Sequence, residues 1–367
     1  MEYIKIGDIA KSIVSGGTPK STKAEYYSGN IPWLNTKEIN FNRIYSTEKY
    51  ITAEGLNNSS AKYIKENCVI IAMYGATAGR AAINKISLTT NQACCNIEVD
   101  ASKMDYNYVY YAIKNDYEHL ASLANGGAQQ NLNSLIIKNF EIPYVNLYIQ
   151  KKISKILTSI DKKIELNNEI NNNLYEEAIA LYKNKFKGID QDKKIIGDYI
   201  VPKRGKNLLT RDAIDGDTPV VAGGIEPSAY HNQFNTKSPV ITISASGANA
   251  GYINLWNIPV WASDCSYIDD SITKNVYFWY IVLKTRQNEI FDAQTGSAQP
   301  HIYPQHIAEM SISELNIDEV EKYNNLVTPL FKMIGKNQKE NKKLSQLRDT
   351  LLPKLMNGEI NLDNIEI

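Results

Sequence analysis

The chain has no net charge: 40 Lys and Arg offset 40 Asp and Glu over 367 residues, so charge alone assigns neither a nucleic acid nor an acidic surface as partner. The balance also holds locally. Residues 151–190 carry 8 basic and 6 acidic side chains, and residues 191–315 carry 10 and 13. No segment is a polycation, and an anion site has to be a local cluster or be shared with a more basic partner. There are four cysteines, Cys68, Cys94, Cys95 and Cys265. None stands in a C-x-x-C pair, which argues against a zinc site and for reduced, mostly buried thiols. No stretch of eighteen apolar residues and no basic start followed by an apolar run occurs. Neither a membrane span nor secretion is expected, and the cytoplasm is the expected compartment.

Catalytic motifs are missing too. The run Gly75-Ala76-Thr77-Ala78-Gly79-Arg80 is shorter than a phosphate-binding loop and lacks its lysine and hydroxyl, which argues against nucleotide hydrolysis. No G-x-G-x-x-G follows a strand pattern. There is no Asn/Asp-Pro-Pro-Tyr/Phe run of the kind amino-methyltransferases use to hold a flipped adenine. His301 and His306 have a spacing wrong for one helical face, and no carboxylate triplet marks a metal nuclease. No catalytic residue, metal or cofactor is expected in this chain.

What is present is a repeat. With 43% hydrophobic residues the chain can build two ordinary domains. From about Ile149 to Phe186, Leu157, Ile160, Ile164, Leu174, Ala178 and Leu181 recur at three- and four-residue steps, the period of one helical face. Asn167 and Asn171 lie on that face, and Gly188 follows as a helix cap. The design returns at a constant offset of 170 residues: Leu330, Ile334, Asn337, Asn341, Leu344, Leu351 and the cap Gly358. The interior asparagines read either as a register-fixing pair on a coiled-coil seam or, at Asn171-Asn172-Asn173, as a hinge; their equal register in both helices favours the first. Upstream of each helix the halves match again. Strand patterns Cys68–Tyr74 and Val240–Ala245 lead into Gly75-x-x-x-Gly79 and Gly247-x-x-x-Gly251, and Tyr-rich helical segments follow at 106–123 and 277–291. The loops Gly126-Gly127-Ala128-Gln129 and Gly296-Ser297-Ala298-Gln299 keep the offset of 170. The chain therefore reads as an internal duplication, α+β in class. Residues 1–146 and 191–316 are two similar mixed α/β domains, and 147–190 and 317–367 carry the long helices, expected to pair as an antiparallel coiled coil about a pseudo-two-fold axis. Forty helical residues span about 60 Å, the length of a ruler.

Together with the opening Gly16-Gly17-Thr18-Pro19 and Ile31-Pro32-Trp33, the entry Ile142-Pro143 with Gln150, and the ending Leu347-Arg348-Asp349-Thr350-Leu351-Leu352-Pro353, this order resembles the specificity subunit of Type I restriction-modification enzymes. The second half departs from that pattern, with no Ile-Pro and Gln entry to its helix. The resemblance implies two target-recognition domains separated by two long conserved helices. It also implies a DNA reader without catalysis of its own, each domain reading half of a split, asymmetric double-stranded site. Two methyltransferase subunits are the implied partners, and restriction or translocase subunits join through them. S-adenosylmethionine, ATP and Mg belong to those partners. Base-edge readout needs side chains that donate and accept on a rigid platform. The candidates are Thr18, Lys20, Arg80, Asn91, Gln92, Gln129, Gln130 and Asn131 in the first domain, and Lys203, Arg204, Lys206, Asn249, Tyr252, Asp264, Gln299 and His301 in the second. For each, a solvated loop residue is the competing reading, and Gln129 and Gln299 also read as amides closing their own hairpins. Helix pairing falls to Ile160, Ile164, Asn167, Asn171, Leu174, Leu330, Ile334, Asn337, Asn341 and Leu344. The rival functions are an enzyme acting directly on DNA and a scaffold with no nucleic-acid ligand.

Overall fold

A computed structural model of the chain describes residues 2–124, 131–187, 194–296 and 299–362. The expected cap Gly188 and the candidates Gln129 and Gln130 lie outside the described residues. Contacts divide the chain into two compact units, Met1–Lys163 with Lys343–Ile367, and Ile164–Lys342. Both divisions fall inside a long helix, Leu147–Lys185 (the central helix) and Ile317–Met356 (the distal helix). Each helix thus lends one part to each unit, whereas the sequence division treats the helices as segments of their own.

The first unit is built on β1 (Glu2–Lys5), β2 (Ala10–Ser15), β3 (Tyr27–Leu34), β4 (Asn42–Ile44), β5 (Lys49–Ile51), β6 (Val69–Ala72), β7 (Ala81–Asn84), β8 (Thr89–Thr90), β9 (Cys94–Val99) and β10 (Glu141–Tyr144). They form a five-stranded sheet β2-β9-β6-β7-β4, a three-stranded sheet β5-β3-β8 and the pair β1-β10. Val69-Ile70-Ile71-Ala72 shows why β6 is central. Its side chains alternate between two buried faces: Val69 and Ile71 join the main core with the helix Tyr106–Asn115, and Ile70 and Ala72 join a second core with Leu34, Ile44 and Leu88.

The second unit repeats the scheme with β11 (Lys194–Ile195), β12 (Lys203–Arg204), β13 (Thr218–Val221), β14 (Ala229–His231), β15 (Val240–Ser244), β16 (Ile253–Trp256), β17 (Trp261–Ala262), β18 (Cys265–Asp269) and β19 (Ser311–Ile312). Its sheets are β12-β18-β15-β16, β14-β13-β17 and β11-β19. In both three-stranded sheets the middle strand is antiparallel to one neighbour and parallel to the other. All four cysteines are free and buried, and burial pushes the Cys68 thiol up to about 11 and those of Cys95 and Cys265 to about 12.

In the second unit the helical segments are joined by asparagines. Asn167 Nδ2 donates to Asn341 Oδ1 and to Glu340 Oε2, both at 2.8 Å, and Asn337 Nδ2 donates to Asn171 Oδ1 at 2.9 Å. Rising numbers on one helix meet falling numbers on the other, so the segments run antiparallel. The central helix is unbroken through Asn171-Asn172-Asn173, which sets the hinge reading aside. The expected apolar stripe is off by one position in two places: Tyr182 and Phe331 are buried where Leu181 and Leu330 are half-buried. Aliphatic spacing alone misses them, because the larger rings fill the space under the helix Val276–Thr285. Ile160 and Ile334 are buried, and Ile164, Leu174 and Leu344 are half-buried. Gly358 adopts φ +71°, with Gly358 N bonded to Leu355 O and Glu359 N to Lys354 O, the two bonds of a glycine-terminated helix end.

Candidate nucleic-acid interface

In the first unit the strand register brings one set of loop ends together. Ser15 at the end of β2 faces Cys95, Ala72 at the end of β6 faces Cys94, and Leu34 and Thr90 end the parallel pair β3 and β8. The loops that leave these ends are tied by backbone bonds: Gly16 N to Cys94 O (3.1 Å), Gly17 N to Thr90 O (2.8 Å), Asn91 N to Leu34 O (3.0 Å), Met73 N to Ala93 O and Leu132 N to Met73 O (both 2.8 Å). Thr18, Lys20, Arg80, Asn91, Gln92 and Asn131 therefore share one edge. Glycine is required there at close approaches: a Cβ on Gly17 would sit 2.1 Å from the Ala61 nitrogen, and Gly75 and Gly79 hold φ of +80° and +82°.

Side chains at this edge differ in availability. The Thr18 hydroxyl donates to Gln92 Oε1, and both residues are exposed, as are Lys20 and Asn131. Arg80 Nη1 donates to Asn40 Oδ1 at 2.7 Å. Asn91 is 8% exposed and its Oδ1 accepts from Ala93 N at 3.1 Å. That amide closes the turn that presents Gln92, so it serves the platform rather than a base.

The second unit builds the same edge from different side chains. Gly205 N bonds Cys265 O and Lys206 N bonds Ala262 O, as Gly16 and Gly17 do at theirs; Ala245 N bonds Asp264 O and Ile302 N bonds Ala245 O, as at Met73 and Leu132. Gly247 and Gly251 repeat the positive φ, at +81° and +84°. Even the indole is reused: Trp33 Nε1 donates to Gly17 O and Trp261 Nε1 to Lys206 O, both at 2.9 Å, although Trp261 sits on the parallel neighbour of the strand that corresponds to β3. Lys203, Arg204 and Lys206 are exposed along the edge. Arg204 Nη2 meets Asp264 Oδ1 at 2.5 Å, and Asp264 Oδ2 accepts from the Ser246 hydroxyl. Asn249 lies in the Gly247–Gly251 turn, and the Tyr252 ring carries the Lys284 ammonium 4.2 Å above it. His301 pairs with Thr295 through both backbone groups. That pair closes the hairpin; among the described residues the exposed Gln299 amide makes no hydrogen bond.

Behind each edge, the helices grip their unit differently. In the first, Asp161 on the central helix is 6% exposed and takes Arg43 Nη1 (3.3 Å), Arg348 Nη1 (2.9 Å) and the Tyr111 hydroxyl (2.6 Å). Burial alone would push this carboxyl up, but the bonds from Tyr111 and Arg348 and the nearby cations hold it below the usual aspartate range. Burial beside those cations lowers Lys114 to about 8. About three turns back along the helix, Gln150 Oε1 accepts from Asp105 N (2.8 Å), and Asp105 caps the helix Tyr106–Asn115 through Tyr108 N (2.9 Å). In the second unit Asn324 does this work, its Oδ1 accepting from Tyr277 N and Phe278 N, and a ring cluster of Tyr182, Phe186, Phe278 and Tyr323 replaces the ion pairs. The missing Gln entry of the second half is thus answered by an amide one turn further along the helix. Asp161, Arg43 and Asn324 escape sequence reasoning, because their partners lie 118, 187 and 47 residues away. Among the described residues no group of three His, Cys, Asp or Glu could hold a metal ion, and no helix is long and apolar enough to cross a membrane.

The Type I restriction modification DNA specificity domain matches residues 1–176. Over 406 aligned residues the chain is 28% identical to the Type I restriction enzyme MjaIX specificity subunit of Methanocaldococcus jannaschii, covering 98% of this chain and 94% of that protein. It is 26% identical over 330 residues to a putative type I specificity subunit of Mycoplasma pneumoniae, covering 83% and 86%. The chain is thus similar to Type I specificity subunits along most of its length, and its first 176 residues match their DNA specificity domain. A crystal structure of the S subunit of a Type-I restriction-modification system from M. genitalium superposes with a TM-score of 0.61 at 20% identity, covering 96% of this chain and 95% of that one, so the two share a fold. The matched domain is described as a DNA specificity domain, and each unit of this chain gathers exposed polar side chains along one loop edge.

Proposed function

We propose that this chain is a specificity subunit, each unit of which reads one half of a bipartite, asymmetric duplex site through its loop edge, and that the helices dock two methyltransferase subunits. S-adenosylmethionine, ATP and Mg act on those subunits and on the restriction subunits they recruit; this chain contributes recognition. The observation that carries the reading is the pair of edges with matching backbone bonds and unlike side chains: Thr18, Gln92 and Arg80 on one, Arg204, Asp264 and Lys206 on the other. A common scaffold with divergent side chains is what two different half-sites require. Arginine beside a glycine turn suits guanine, a carboxylate such as Asp264 suits the cytosine amino group, and exposed lysines suit phosphate.

The test is a domain exchange in the complex with methyltransferase. Replacing residues 1–140 with the corresponding part of another specificity subunit is expected to change one half of the methylated site and leave the other. A change in both halves, or in neither, refutes the reading. The rival scaffold function is separated by the same complex: no salt-dependent shift of duplex DNA would favour it.

A further inference from the structure

We propose that Asn40 is a positioning residue that aims the Arg80 guanidinium at a single base of the first half-site; the inference rests on the first loop edge being a DNA-reading edge. Arg80 leaves a fixed backbone, with Gly79 N bonded to Ala72 O and Arg80 N to Thr77 O. Its Nη1 donates to Asn40 Oδ1 at 2.7 Å. Among the described residues its Nε and Nη2 have no hydrogen-bond partner, and these donors suit the two adjacent acceptors of a guanine edge.

Asn40 is itself held. Its backbone nitrogen donates to Asn42 Oδ1 at 2.9 Å, and Asn42 Nδ2 donates to Glu38 O at 3.1 Å. The next residue, Phe41, has φ +50°, a conformation that a bulky side chain adopts only when its surroundings impose it. The imposition is visible. The Phe41 ring meets Tyr117 edge-on at 5.3 Å, and Lys114 Nζ sits 5.7 Å from it. Tyr117 also backs the glycine turn, since a Cβ on Gly79 would lie 3.3 Å from it. Two residues further on, Arg43 is locked to Asp161 on the central helix. A surface arginine with an incidental partner needs none of this, whereas a reader that must not swing between two bases needs all of it.

The experiment uses the full chain with its methyltransferase subunits and measures methylation rates on the mapped wild-type site and on duplexes with each base pair changed in turn. Arg80→Ala and Asn40→Ala are expected to lose discrimination at the same single position, by about tenfold or more, the worth of one good bidentate base contact. Asn40→Asp keeps the acceptor oxygen and is expected to retain discrimination; Arg80→Lys keeps the charge but not the planar fork, and is expected to lose it. A thermal unfolding curve like that of the wild type is expected for Asn40→Ala. An unchanged profile in Asn40→Ala, or an equal fall on every duplex, overturns the proposal. If the wild-type complex shows no sequence preference at all, the reading of the edge falls, and the positioning role with it.

Discussion

Replacing Asp161 with asparagine removes one charge and almost no volume, and the structure says what that charge does. Arg43 has 2% of its side chain exposed and cannot exchange the lost carboxylate for water, whereas Arg348, 16% exposed, still has Asp349 at 2.8 Å. Breaking a buried pair from one side costs about 3–5 kcal/mol, because the partner charge stays buried and unpaired. For a unit of this size, at about 2–4 °C per kcal/mol, the unfolding midpoint is expected to fall by about 10 °C. The pH dependence carries a sign. The folded-state pKa of Asp161 is depressed below its ordinary 3.8, so its contribution is fully present above that value and is lost as pH falls through the lower folded value. The deficit of Asp161→Asn against wild type is therefore expected to stay level from pH 7 to 5 and to close in stronger acid. Chemical denaturation across that range is the assay. A deficit under 1 kcal/mol at pH 7 would refute the reasoning, as would one that closes already between pH 7 and 5. A triple variant, Asp161→Leu with Arg43→Met and Arg348→Met, is expected to regain most of the loss, since an apolar replacement of a buried ion cluster is often neutral.

Lys114→Met is expected to stabilise the chain by about 1–3 kcal/mol at pH 7. Lys114 is lowered to about 8 from 10.5, so wild-type stability rises between those values and the advantage of the variant, followed by denaturation at each pH, should vanish above them. Gly17→Ala drives a Cβ into the Ser60–Ala61 backbone, while the Cβ of Gly75→Ala meets nothing within 4 Å and pays only for φ +80°; losses of about 3 and about 1 kcal/mol are expected on thermal unfolding. Asn167→Leu strands the Asn341 carbonyl and should cost about 1–3 kcal/mol by denaturation, and Asn167→Leu with Asn341→Leu, which removes both partners, should cost less.

The parts of the fold legible in the sequence are those set by local spacing. Gly75 and Gly79 recur as Gly247 and Gly251 and take the same positive φ, because a left-handed turn leaves a glycine in the text. Gly358 closes its helix for the same reason. Asn167 and Asn337 stand out because polar residues interrupt an apolar face, and they meet the partners that the common register implies. Other features leave no local trace. Nothing near Arg80 points to Asn40, forty residues back, and nothing near Asp161 points to Arg43 or Arg348. Trp33 and Trp261 serve one purpose from different strands, so aligning the halves by residue type does not pair them. Asn91 was readable as a polar loop residue but not as a buried one, since burial depends on how β3 and β8 close over it.

The two grips of the helices carry the argument furthest. At the offset of 170, Asp161 corresponds to Phe331, Arg348 to Ala178, Gln150 to Val320 and Ser154 to Asn324. A duplicated chain with identical grips would let either recognition fold seat on either helix segment, and an asymmetric site would then be read in two orders. Divergence removes that choice. The first fold on the second grip would bring Arg43 and Tyr111 against Phe331, leaving a buried guanidinium without its carboxylate. The second fold on the first grip would set Tyr277 and Tyr280, which pack on Phe331, against Asp161. Each wrong seating buries a charge or a polar group without a partner, a cost of several kcal/mol, while each right seating satisfies its own. Discrimination by the penalty of the wrong pairing is the usual way similar surfaces are kept apart. On this argument the ion cluster at Asp161 adds less to stability than to order: it ties the edge bearing Thr18, Gln92 and Arg80 to its own helix segment, which on the proposed reading fixes the half-site that edge would meet.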